Sequence, residues 1–328
     1  MTKERIIWID WAKTIGIMIV VFCHIPQYNT MVKQFLCTME MPLFFILSGY
    51  LHNSNRSLQT NVHKYWKSLV IPYILFQFIF YPYFYIRKTF DGEDVNGIYN
   101  GFIKPILGCL FGTPIDGTTW FIYALIIMKL LMDLASSKKS ILLIYILISV
   151  FTTYLISNDH IYNISFAIDS FFMYFPFFIL GWEIKHNDMF RKIKNVNRLA
   201  FCMISFFILL LCLLIILLNP SFPYIIQIFN IYISGTLGSA VVIALCICIH
   251  KSNKFIYVIS NGTIILLGLH WMFIGTFNYV LEKSIHINNI LYNTAEAALI
   301  VLFITLANYF IILFCNKHFK IILGGRSM

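Results

Sequence analysis

Charge is what this chain lacks. Only 12% of its 328 residues are Asp, Glu, Lys or Arg, against about 25% in a soluble globular protein. A water-soluble domain of this size cannot be covered with so little polar surface. Hydrophobic residues make up 59% of the chain and the mean hydropathy is +0.79, which leaves lipid as the main solvent of the outer surface. The apolar runs do not alternate with period two, which excludes a closed barrel. No basic cluster marks one part of the chain, so the net charge of +10 does not signal nucleic-acid binding. The eight cysteines lack C-x-x-C spacing, and Cys246-x-Cys248 on a helix points its thiols apart. No metal is expected; polarisable packing is the plain reading, with disulfides left open for Cys23, Cys37 and Cys109. No Pro/Gly/Ser-rich linker, soluble appendage or visible inverted repeat appears, so residues 1–328 read as one domain. No small-residue cleavage site follows the first apolar run, which reads as an uncleaved signal anchor.

What is present is a series of apolar runs long enough to span a bilayer as helices. They lie near 6–25, 35–52, 66–86, 118–135, 140–157, 165–184, 199–218, 225–249, 256–280 and 289–315, ten in all. The expected fold is therefore all-α and polytopic. Phe102–Gly112 is too short to span and is broken by Pro105 and Gly108, so it reads as re-entrant or interfacial. Pro72, Pro82 and Pro176 fall inside spans and predict kinks or local water. With the N-terminus inside, seventeen of the 24 Lys and Arg residues fall on the cytoplasmic side. That bias supports ten spans with both termini in the cytoplasm. The expected location is the cytoplasmic membrane of a bacterium. The outer segment 87–117, with Asp91, Glu93, Asp94 and Asp116, is the one outer loop large enough to help hold a substrate, and Asn219–Pro223 reads as a tight outer turn.

Ionisable groups at membrane depth are costly and mark cavities or reaction paths. The first run carries three of them. Lys13 and His24 are eleven residues apart, which returns to nearly the same helix face roughly 16 Å along the axis, and Asp10 lies one turn before Lys13. His24 has two readings: a general base for a hydroxyl, oriented by Glu40, Asp169 or Glu296, or an imidazole satisfied by a neighbouring backbone. Asp10 and Lys13 form a packing ion pair, or Lys13 faces an anionic ligand from the cytoplasm. Lys64 and Lys67 share one face at the cytoplasmic entry of the third span, where they reach lipid headgroups or grip phosphates. His24, Glu40 and Asp10 are the catalytic candidates, and Trp120, Asp169, His270 and Glu296, which with Glu40 gather toward the outer side of their spans, are the candidates to hold a substrate. Ser48, without a G-x-S-x-G elbow, and Cys23, turned about 100° from His24, are weak nucleophile candidates.

Six motifs in chain order are similar to one family. Asp10-Trp11-Ala12-Lys13, ten residues and then His24 resembles a basic-x10-His signature. Met41 to Tyr50 resembles a second-helix motif, Lys64-x-x-Lys67 through Pro72-Tyr73 a basic third-helix entry, and Thr119-Trp120-Phe121 with Ala124-Leu125 a tryptophan motif. Phe175 to Gly181, and Gly262-Thr263 through His270, resemble later landmarks. Together they resemble the acyltransferase 3 family of integral-membrane acyltransferases, especially its fucose 4-O-acetylase-like branch of sugar acetylases. Glu40 stands where related sequences often carry His, and Lys13, Lys64 and Lys67 where many carry Arg, which removes bidentate phosphate geometry.

The resemblance implies ten helices, a cytoplasmic acyl-CoA donor (acetyl-CoA by default), a cell-surface or lipid-linked glycan acceptor, a catalytic His24 and a Lys13 on the donor path. The expected activity is membrane O-acetyl transfer without metal or nucleic acid. The rivals are a transporter or flippase for a glycan or lipid intermediate, with the buried ions as a proton relay, and a scaffold in a polysaccharide-synthesis complex.

Overall fold

The computed structural model describes residues 6–28, 30–53, 57–90, 97, 99–135, 138–157, 165–188, 200, 203–204, 206–211, 224–285 and 290–325. Among them the regular secondary structure is helical, apart from one isolated parallel bridge between Gln27 and Tyr292. We label the helices α1 (Ile7–His24), α2 (Met31–Tyr50), α3 (Leu58–Phe90), α4 (Lys104–Leu110), α5 (Trp120–Ala135), α6 (Lys139–Ser157), α7 (Phe166–His186), α8 (Tyr224–Ile247), α9 (Lys254–Asn261), α10 (Thr263–Ile285) and α11 (Thr294–His318).

Nine of the described helices are long and apolar enough to cross a membrane. They correspond to nine of the ten expected runs. The tenth, 199–218, lies mainly outside the described residues, as do Asp91, Glu93, Asp94 and the turn at 219–223. The burial pattern is that of a protein in lipid. On α6 the exposed face is Leu143, Leu147 and Phe151, while Leu142, Ser149 and Thr153 are buried. On α11, Leu299, Phe303, Leu306, Phe310 and Phe314 form an exposed apolar stripe, with Thr305 and Asn308 inside. Water would penalise such faces, and hydrocarbon does not. Two of these buried hydroxyls are satisfied within their own helices: Thr153 donates to the Ser149 carbonyl (2.8 Å) and Thr305 to that of Val301 (2.7 Å).

Two compact units divide the chain, and the chain passes between them more than once. The first comprises 1–52, 174–266 and 273–313; the second comprises 53–173, 267–272 and 314–328. In the first, α1, α2 and α8 pack on one another and α1 also packs on α9. Its tightest crossing joins α2 to the second half of α7 through two glycines. A Cβ at Gly49 would overlap the Phe178 carbonyl, and one at Gly181 would overlap that of Ile46. Small residues let the backbones approach this closely, a common device where lipid leaves packing as the main attraction between helices. At the same end, Lys185 Nζ donates to the His52 carbonyl at 3.0 Å.

In the second unit α3 begins eight residues before the expected 66. Ser57 caps it by accepting from Thr60 N (3.3 Å), so the helix extends through the polar stretch that carries Lys64. A π-helical turn, Trp66–Val70, follows before Pro72. There the Ile71 N–H reaches back to the Trp66 carbonyl, a wider turn of the kind found beside helix irregularities. Phe102–Gly112, too apolar for a loop and too short to span, contains the short helix α4.

Candidate functional site

α1 is one unbroken helix that carries Asp10, Lys13 and His24. Its first half is anchored by polar contacts to the segment around α9. Ser260 Oγ donates to Asp10 Oδ1 (2.7 Å), Trp11 Nε1 donates to the Lys251 carbonyl (2.9 Å), and Thr14 Oγ1 donates to that of Ile256 (3.4 Å). Asp10 and Ser260 are both buried. One carboxylate oxygen of Asp10 is thereby committed to helix docking, a use that spacing alone did not reveal. Lys13, one turn on, is half-buried.

The second half of α1 ends on Cys23 and His24. The His24 ring Nδ1 lies 2.8 Å from the Val20 carbonyl. A carbonyl only accepts, so Nδ1 carries a proton, and in the neutral ring Nε2 is then the basic nitrogen. The expected orienting carboxylate is thus replaced at Nδ1 by the helix's own backbone. The chain beyond His24 is held as well: Tyr28 N donates to the Tyr292 carbonyl (3.2 Å), Tyr292 N to that of Pro26 (3.0 Å), and buried Gln27 Nε2 to that of Phe22 (2.7 Å). Tyr292 Oη in turn donates to Asn278 Oδ1 at 2.8 Å.

Glu40, in mid-α2, meets thiols. Its carboxylate and the Cys23 and Cys37 sulfurs have ligand-type atoms within 4.8 Å of one another. Lys33 acts electrostatically on both Glu40 and His24. Glu296 is exposed and caps α11 reciprocally with Asn293: Asn293 N donates to Glu296 Oε2 (2.8 Å) and Glu296 N to Asn293 Oδ1 (2.9 Å). This is a capping box, and Asn293-x-x-Glu296 ahead of an apolar run is the signal in the sequence that could have revealed it.

In the second unit Lys64 and Lys67 are exposed at the start of α3. That start is locked to the end of α5 by Asp133, which accepts from Asn61 Nδ2 and Tyr65 Oη, both at 2.9 Å. Asp169 is half-buried in the first turn of α7. Trp120 opens α5, buried and edge-on to Phe166 at 5.3 Å between ring centroids. Just before it lies a polar knot that includes the expected His270 and is centred on Gln77 and Thr118, which the sequence reading did not single out. Gln77 Oε1 accepts from Ile115 N (2.8 Å) while its Nε2 donates to Thr119 Oγ1 (2.8 Å). Tyr73 Oη donates to the Cys109 carbonyl at 2.8 Å. Asp116 and His270 are both 0% exposed, and the Leu267 carbonyl accepts from His270 Nδ1 (2.7 Å) and Thr118 Oγ1 (2.8 Å).

Thr118 Oγ1 also lies 2.7 Å from Asp116 Oδ1. Asp116 Oδ1 accepts from Thr118 N as well (3.1 Å), and the single hydroxyl hydrogen of Thr118 serves either this oxygen or the Leu267 carbonyl. Burial, the leading cause, pushes the Asp116 carboxyl from 3.8 up to about 7, against the two Thr118 hydrogen bonds that favour its charged form.

The half-buried Lys13 and His24 of the first helix, the glycine crossing of α2 with α7 and the tryptophan opening α5 all lie within the stretch matched when the whole sequence is compared with known families. A family model described as an acyltransferase domain, of the acyltransferase 3 family, matches residues 6–314. The chain belongs to that family. It is a multi-pass membrane acyltransferase, all-α in fold. No curated protein and no solved structure matches this acyltransferase. No finding supports the transporter reading.

Proposed function

We propose that this acyltransferase moves an acyl group, acetyl by default, from cytoplasmic acyl-CoA to a hydroxyl of a cell-surface or lipid-linked glycan, as a sugar acetylase of the fucose 4-O-acetylase-like branch in a bacterial cytoplasmic membrane. His24 is the general base. The observation that carries this reading is His24 itself: half-buried at the end of α1, with its Nδ1–H given to the Val20 carbonyl so that Nε2 is the basic nitrogen of the neutral ring. Nε2 takes the acceptor hydroxyl proton as that oxygen attacks the thioester carbonyl. The tetrahedral adduct then expels the thiolate, which the imidazolium protonates. Both ring nitrogens end as they began.

Lys13 lies on the same unbroken helix, roughly 16 Å from His24 by helical rise, and supplies positive charge along the donor path. Lys64 and Lys67 hold exposed ammonium groups at the start of α3, a chemistry that suits the donor's phosphates as point charges. Trp120, Asp169 and His270 are assigned to the acceptor side. Glu40 and Asp10 support the helix that carries the base.

The test is transfer of labelled acetyl from acetyl-CoA to surface glycan in membranes holding the protein. His24→Ala and His24→Gln should each lower transfer by about 100-fold or more, the usual size of a general-base contribution, with unchanged elution and melting. Transfer at the wild-type rate in a folded His24→Gln protein would remove His24 from the reaction.

A further inference from the structure

The contact among Cys23, Cys37 and Glu40 has no part in the acyl-transfer chemistry. Cys37 and Glu40 are three residues apart on α2 and share a face, and Cys23 comes from the last turn of α1. All three are half-buried, both cysteines are free thiols, and the three ligand-type atoms lie within 4.8 Å of one another. Atoms bound to one tetrahedral zinc ion sit roughly 3.4–3.8 Å apart, given Zn–S near 2.3 Å and Zn–O near 2.1 Å. The cluster needs only small side-chain adjustments to reach that spacing. A second feature points the same way. Glu40 Oε2 is buried with no hydrogen-bond partner among the described residues, a costly state for a carboxylate oxygen unless something binds it.

Charge completes the argument. Two thiolates and a carboxylate carry three negative charges. A divalent cation leaves one, and Lys33, which acts on Glu40, cancels it. The ion takes the place of the two thiol protons, so the assembly gains no net charge in a half-buried position among helices. Two sulfur ligands select a thiophilic ion over magnesium or calcium.

We propose that Cys23, Cys37 and Glu40 bind one zinc ion, with the fourth position left to water or another ligand. Binding releases the thiol protons to solvent and changes no oxidation state. The ion joins the last turn of α1 to the middle of α2, and Cys23 directly precedes His24, so the clamp fixes the end of the helix that carries the imidazole. The site is independent of whether the acceptor is a glycan.

The decisive measurement is metal content and affinity on tag-free, detergent-purified full chain, using zinc with a competing chromophoric chelator. The expected result is about one zinc per chain, background content in Cys23→Ser and Cys37→Ser, and binding weaker by about tenfold or more in Glu40→Gln. Cobalt(II) in place of zinc should give a thiolate-to-cobalt charge-transfer band that both serine variants lose. Wild-type protein holding no zinc at the end of the titration would overturn the proposal, even where a serine variant fails to fold. A Cys23–Cys37 bridged peptide as the main species in non-reduced protein would overturn it too.

Discussion

Replacing Gly49 by alanine tests the packing that brings the second helix against the seventh. The added Cβ would lie 2.8 Å from the Phe178 carbonyl carbon and 3.0 Å from Trp182 N, with the Phe178 oxygen closer still. The obstacles are backbone, so no rotamer change relieves them. Ordinary contact at about 3.4 Å or beyond then requires the two helices to part by on the order of 1 Å. A gap of that size forfeits roughly a quarter to a half of each dispersion contact across the seam. Phe45, Phe178 and Trp182 are all buried on the two helices, so the loss should reach about 2–3 kcal/mol, the upper part of the overpacking range. Gly181→Ala presses on the Ile46 backbone from the other side, with its Cβ 2.7 Å from the carbonyl carbon, and should cost about the same.

The sharper expectation concerns the pair. Once one substitution has parted the helices, the second methyl fits, so Gly49→Ala with Gly181→Ala should cost little more than the worse single change. Tryptophan fluorescence during heating in detergent reads the effect. Each single variant should melt about 5 °C lower, and the double variant within about a degree or two of the lower single. Fully additive losses, or either single variant melting with wild type, would refute this account.

Ser260→Ala removes the buried bond that Asp10 accepts and should cost about 1.5–3 kcal/mol, read as a lower melting temperature; no change would show that α1 does not depend on this anchor. Asp116 carries the pH prediction. Its folded value, about 7, exceeds the ordinary 3.8, so the fold binds the proton more tightly than the unfolded chain, and this stabilisation is lost as pH rises from 3.8 through about 7. Asp116→Asn keeps an N-cap acceptor for Thr118 N but cannot ionise, so it should flatten the fall in melting temperature between pH 5 and 8; parallel wild-type and variant profiles would exclude Asp116 as its source.

Much of the fold was legible because apolar runs of bilayer length have few alternatives. The 11-residue interval on α1 was legible for a similar reason: a helix converts sequence distance directly into direction and depth. Contacts between helices were not. Nothing in the spacing of Cys23 and Cys37 says that the turn between them returns Cys37 to the same thiol, and the absence of C-x-x-C argued against a metal. Gly49 and Gly181 stood inside recognised motifs, yet their mutual contact depends on how α2 and α7 cross. In the sequence Asp116 is one acid of the outer segment 87–117, and nothing in the pattern singles out Gln77 within its span. Their burial together follows from where the segment before α5 turns, which period and composition do not encode. The Glu296 cap was readable from Asn293-x-x-Glu296 and was passed over in favour of membrane depth.

Because α1 runs unbroken, the roles proposed for Lys13 and His24 make the interval between them a gauge that tolerates no insertion or deletion. One residue more or less would swing the imidazole about 100° around the axis while moving it only 1.5 Å along it, so each single-residue indel should be far more damaging there than in any surface loop.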